Sequence, residues 1–164
     1  MEEKNIGNTE SRVRLDEKVV VKSIAPWTTG ARRILTIGDI QIQPNGVGSV
    51  SREEIIAQGQ SGNKLLTGID GRGTHATWYI EDEFSREELG FDDGEKKQIV
   101  VSNDTVKKAF SIKADKAFEK FISENFKTRA ERTFLTEAIK NLKLSETAPY
   151  VRVSFCETLA GVRL

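Results

Sequence analysis

This chain is short of reactive groups. Among 164 residues there is one histidine, His75, and one cysteine, Cys156. A single cysteine excludes an intrachain disulfide, and with it the stapled scaffolds of oxidising compartments. With so few His and Cys side chains there is no metal-ligand cluster to read. No long apolar run is present, residues 1–7 included, so neither a signal peptide nor a membrane anchor is expected. The expected setting is cytoplasm, or a particle assembled there. Lysine plus arginine and aspartate plus glutamate number 25 each. A net charge of zero argues against a general nucleic-acid binder, which releases counterions through a basic face.

What is there suits an ordinary globular domain. Hydrophobic residues make up 37% and charged residues 30%, in a chain long enough to bury a core without staples. The charge is segregated. Residues 81–95 carry eight acids against one arginine, and residues 96–127 carry eight lysines against four acids. Such blocks are solvated faces of opposite sign, or faces that meet between copies in an assembly.

Residues 1–12 are polar and aperiodic and read as a flexible arm. Residues 19–24 are β-branched and read as a strand that Pro26 ends. Residues 33–37 read as a second strand and 40–43, with its alternation, as a third. Pro44-Asn45-Gly46 is a turn signal. Ser51, with Glu54 three positions on, marks a capping box and a short helix that ends before Gly62. Residues 64–67 are expected as a strand, 68–73 (GIDGRG) as a tight turn, and 74–80 as a central strand. The Ser-Arg-Glu-Glu quartet recurs at Ser85, a second helix start by the same solution. Residues 97–101 are a further strand.

Beyond Ser102 the apolar period lengthens to that of a helix. A short helix is expected over 105–110. A stripe from Ala114 to Phe126 and another from Ala130 to Leu142 flank a capping box at Thr128–Glu131. The alternation of 150–155 predicts a return strand, with a tail over 157–164. The sum is one α+β domain over 13–156, β-rich to 101 and helical over 102–144. The expected body is an SH3-like or other small β-barrel with short inserted helices and a C-terminal helical pair.

Candidate chemistry is thin. Gly59-Gln60-Ser61-Gly62-Asn63-Lys64 lacks the spacing of a phosphate loop, and Leu65 stands where its hydroxyl belongs. A calcium loop from Asp70 fails because Arg72 occupies a ligand position. Ser61 lacks the nucleophile-elbow pattern. His75 has no evident partner and Cys156 no local base, so both read as packed residues. No catalytic, cofactor-binding or metal-binding residue is assigned, and no cofactor is expected. Trp27, Arg32, Arg33 and Trp78 offer an aromatic and basic set for stacked single-stranded bases, the alternative function. Together with the acids Glu81, Asp82 and Glu83 they are the candidate interface residues.

Gly38-Asp39-Ile40, the run from Ser51 to Gln58, Gly68-x-Asp70-Gly71 and His75-Ala76-x-x-Tyr79-Ile80-Glu81-Asp82 carry a resemblance to virion structural proteins of tailed bacteriophages. It covers about a third of the chain. What it implies is a capsid, neck or tail accessory role, with protein subunits as multi-copy partners. The expectation is a non-enzymatic assembly protein that works through surfaces. A deep pocket converging on the lone imidazole, with buried carboxylates beside it, would overturn that expectation.

Overall fold

The computed structural model describes residues 13–164, and the arm expected over 1–12 lies outside the described residues. The first part holds β1 (Lys18–Ser23), β2 (Thr29–Arg32), β3 (Asp39–Ile42), β4 (Val47–Ser51), α1 (Arg52–Gln60), α2 (Lys64–Thr67), β5 (Trp78–Ile80) and α3 (Glu83–Glu88). The second is helical: α4 (Asn103–Phe110), α5 (Asp115–Asn125), α6 (Arg129–Asn141), α7 (Leu144–Thr147) and α8 (Tyr150–Ala160).

Strand β1 is central in a three-stranded antiparallel sheet of order β4–β1–β5, with Val20 opposite Ser49 and Lys22 opposite Tyr79. Strands β2 and β3 form a separate hairpin. The α+β class therefore holds, as two small open sheets; no closed barrel is formed among the described residues.

Several local expectations are corrected. Residues 33–37 are a loop, and the strand precedes them as β2. Their amides are taken by a side chain: Glu54 accepts from Ile34 N and Leu35 N. Residues 64–67 are one helical turn, because the Asn63 side chain accepts from Leu65 N and caps it. The strand expected over 74–80 is reduced to Trp78–Ile80 at a sheet edge. His75 stands at φ 57°, which breaks extension before it. At the second quartet the helix cap is Asp82, and Ser85 lies inside α3. Residues 97–101, expected as a strand, form no regular element and pair with no strand.

The return strand expected over 150–155 is helix α8, and the supposed tail continues it to Ala160. Arg152, Val153 and Cys156 point inward, the spacing of a helix face. Arg152 is accommodated because Nε donates to Asp115 and the terminal nitrogens donate to the carbonyls of Phe110 and Lys113. Its guanidinium also lies over the Phe118 ring, 4.8 Å from the centroid.

Two apolar cores result. One gathers Val21, Ile42, Ile55, Leu66, Trp78, Ile80 and Phe91 around the three-stranded sheet. The other packs Phe118, Ile122 and Phe126 of the α5 region against Leu135 and Ile139 of α6 and Cys156 of α8. Ile24 and Ala25, just past the end of β1, belong to this helical core. Fully buried side chains of this size contribute about 1.5–3 kcal/mol each from area removed from water.

Candidate functional site

The candidate interface residues do not form one patch. Trp27 is exposed, with the Arg129 guanidinium 5.3 Å from its ring centroid. Trp78 is fully buried and donates from Nε1 to Thr29 Oγ1 at 2.7 Å, so it offers no surface to a stacked base. Its neighbour Tyr79 faces the other way, half-buried beneath Arg86. Arg32 is exposed and Arg33 half-buried at the mouth of the β2–β3 loop. Among the acids, Glu81 pairs with Lys22 and Glu83 with Lys97. Asp82 is structural: Arg52 donates to both its oxygens at 2.9 and 3.0 Å, and Ser85 donates from N and Oγ. The Arg52 hydrogen bonds, against an opposing burial effect, hold the Asp82 carboxyl down at about 2.

The β2–β3 loop presents apolar side chains to solvent. Ile34 and Leu35 are about half exposed and Ile37 is fully exposed. The loop is nevertheless braced from beneath. The buried Glu54 carboxylate accepts from Ile34 N at 3.1 Å and Leu35 N at 3.0 Å, Gln58 Nε2 donates to Glu54 and to Arg32 O, and Arg33 N donates to Gly38 O. Burial alone would raise the Glu54 carboxyl. The Leu35 and Ile34 amides, the Gln58 amide and the Arg33 charge outweigh it and hold the group below the usual carboxylate range. Burying a carboxylate is costly unless its oxygens are met; here the donors that meet it fix the shape of an apolar tip.

A second arrangement lies between the two cores. His75 Nδ1 is 2.8 Å from both oxygens of Glu131, a residue distant by 56 positions and buried at 3% exposure. Glu131 is also the N3 residue of the α6 capping box, where Oε1 accepts from Lys127 N and Thr128 N. One carboxylate thus caps a helix and orients an imidazole. The sequence shows the first role and hides the second. The other ring nitrogen, Nε2, has no hydrogen-bond partner among the described residues.

The His75–Glu131 pair lines a cavity of about 240 Å³, with Gln98, Val100 and Val101 on its wall. Exposed Arg72, Lys96 and Lys97 also border it. The loop before His75 is tightly built. A side-chain carbon on Gly68, at φ 71°, would lie 2.0 Å from Thr74 O; one on Gly73, at φ 81°, would meet Phe91 and Gln98. Asp70 folds over its own loop, accepting from Arg72 N, Thr74 N and Thr74 Oγ1. A tight turn was expected here, and this is its internal wiring.

Gln98 is held from behind. Arg86 donates from Nε to Asp92 and from one terminal nitrogen to Ile80 O and Glu81 O; Asp92 accepts from Gln98 N at 2.7 Å. Burial opposes ionisation of Asp92, but the Gln98 amide and the Arg86 guanidinium together lower its carboxyl. Gln98 Nε2 donates to Gly73 O at 3.0 Å. Its amide oxygen is buried and has no partner among the described residues.

A carboxylate that receives Nδ1–H leaves the neutral imidazole with Nε2 as an acceptor. That is the base-and-orienter half of a general-base constellation. No nucleophile half is assembled among the described residues: Thr74 Oγ1 donates to Asp70, and Thr105 Oγ1 accepts from Ser102 N in the α4 capping box. Cys156 is far from this role, since burial pushes its thiol up to about 12. No group of three or more metal-ligating side chains is placed to hold an ion among the described residues. No described helix is long and apolar enough to cross a membrane. Compared with protein-family models, curated proteins and solved structures, the chain has no significant match in any of the three.

Proposed function

We propose that the protein is a non-enzymatic assembly component that joins copies of itself head to tail. The observation that carries this reading is the β2–β3 loop, where Ile34, Leu35 and Ile37 are held out to solvent by the buried Glu54. Apolar tips that are pre-shaped lose little conformational entropy on docking. The loop is flanked by Arg32 and Arg33, and an acidic counterpart exists on the same chain in the exposed Glu81, Glu83, Glu87 and Glu88. A basic-rimmed apolar tip on one copy and an acidic ridge on the next define a heterologous contact, which builds rings or filaments. The specific version that the phage resemblance implies is an accessory protein of a virion. The nucleic-acid alternative is weaker, since it loses Trp78 to the core. The His75 cavity works against any account in which surfaces do everything; the proposal rests on the loop.

The test is light scattering of the purified full chain over a range of concentrations, with Ile37→Asp as the variant. Ile37 is fully exposed, so the substitution leaves folding intact. Concentration-dependent association in the native chain, abolished by Ile37→Asp and weakened by salt, is the expected result. A native chain that stays monomeric throughout overturns the proposal. Genes for portal, capsid or tail proteins beside this one would support the virion version, and a metabolic operon would count against it.

A further inference from the structure

We infer that the cavity between the two cores is a binding site for a small organic anion whose far end carries N–H or O–H donors. Two acceptors stand there without a protein donor among the described residues, and the one on Gln98 is buried. The Gln98 side chain is 7% exposed and its Oε1 has no partner among the described residues. Its orientation is fixed, because the neighbouring Gly73 O is an acceptor and only the amide nitrogen can face it. An acceptor buried without a donor costs the desolvation of that group, about 1–3 kcal/mol, unless a bound molecule supplies the donor. The second acceptor is His75 Nε2, left free when Nδ1–H is given to Glu131.

The rest of the cavity sets the remainder of the ligand. Val100 and Val101 give it an apolar wall, so the body of the ligand is apolar. Arg72, Lys96 and Lys97 border it with positive charge; Arg72 and Lys97 also pair with Asp93 and Glu83, and Lys96 has no ion-pair partner among the described residues. Two carboxylates also line it: Glu131 is already engaged by three N–H groups, and the exposed Glu124 pairs with Lys120. An anionic group on the ligand therefore sits at the lysines and its donors at Gln98 and His75. The volume of about 240 Å³ limits the molecule to one ring and short substituents, or a comparable aliphatic acid.

The chain's single histidine makes the test direct, because one imidazole gives one set of ring-nitrogen resonances. The full-length protein is titrated with para-aminobenzoate, which has the donor, the apolar body and the anion. Benzoate lacks the donor and aniline lacks the anion. The expected result is a saturable shift of the His75 Nε2 resonance with para-aminobenzoate, at least about tenfold weaker for either control, the equivalent of one lost hydrogen bond or ion contact. Gln98→Met removes the orphaned oxygen and weakens binding by about tenfold. Should that variant not fold, Lys96→Ala serves: the residue is exposed, and the loss should appear for para-aminobenzoate and not for aniline. No saturable shift at millimolar para-aminobenzoate, equal binding of the three compounds, or unchanged binding by folded variants would overturn the inference.

Discussion

His75 and Glu131 are joined by a 2.8 Å contact that ties the loop after α2 to the first turn of α6. The carboxylate holds the imidazole and the α6 cap at once, so the two parts of the chain share one acceptor. Glu131→Gln keeps the shape and removes the charge that three N–H groups share. Unfolding in urea should show a loss of about 1.5–3 kcal/mol, the range for hydrogen bonds to a charged group. Thr128→Ala removes only the cap hydroxyl and should cost about 1 kcal/mol. Equal costs for the two variants would mean that the histidine contact contributes nothing.

Acid stability should carry the mark of Asp82. Its carboxyl is held at about 2 in the folded chain, below the ordinary 3.8. A depressed folded value stabilises the fold above the unfolded value and is lost as pH falls through the folded one. The contribution is on the order of 2 kcal/mol, present at neutral pH and lost between about pH 4 and 2. Asp82→Asn should therefore be less stable than the native chain at pH 7 and show a flatter stability curve in that acid window. A native chain whose urea midpoint does not move between pH 4 and 2.5 would contradict the assignment.

The thiol of Cys156 should be silent in the folded protein. It is fully buried in the helical core, and burial drives it away from the reactive thiolate form. Ellman's reagent should report no reaction under native conditions and one thiol per chain in denaturant. Rapid native reaction would mean that α8 detaches from α5 and α6 far more often than this packing allows.

Gly68 is the position least tolerant of a side chain in the loop before His75. An added carbon there would lie 2.0 Å from the Thr74 carbonyl oxygen, a backbone atom that cannot step aside, and φ is positive. Gly68→Ala should cost more than about 2 kcal/mol or prevent folding. Gly71→Ala is the contrast. It too has positive φ, but nothing lies within 4 Å, so only the conformational penalty of about 1–2 kcal/mol applies. Thermal melts of the two variants separate the two costs.

What the residue string reveals is local, and what it conceals depends on distance. The cap at Ser51, the box at Thr128 and the two helical stripes were readable because the signals sit within one or two turns of the residues they organise; the reciprocal half of the box expected at Ser51 is not formed, because Glu54 turns to Ile34 and Leu35 instead. The Ile34–Ile37 segment looks like a strand by composition. It is a loop because a carboxylate some twenty positions later takes its amides. Helix α8 was hidden for a related reason. Alternation over Tyr150–Phe155 mimics a strand, while Arg152 turns inward to an aspartate and two carbonyls far back in sequence. Strand β4 has a glycine and two serines among its five residues and gives no strand signal of its own; pairing with β1 makes it one. His75 carries no pattern that points to Glu131, and the cavity exists only once the two meet.

Strand β1 ends by sending Ile24 and Ala25 into a core whose other members include Phe118 and Cys156. This strand, the first among the described residues, is therefore among the last to be satisfied. Its neighbours in the sheet arrive within some sixty residues, but its tip waits for helices some ninety or more residues further along the chain. During synthesis the nascent chain carries an aliphatic end with no place to go. Completion of the fold is consequently a late, nearly all-at-once event, and a chain stalled before α6 would be a substrate for chaperones rather than a half-built domain.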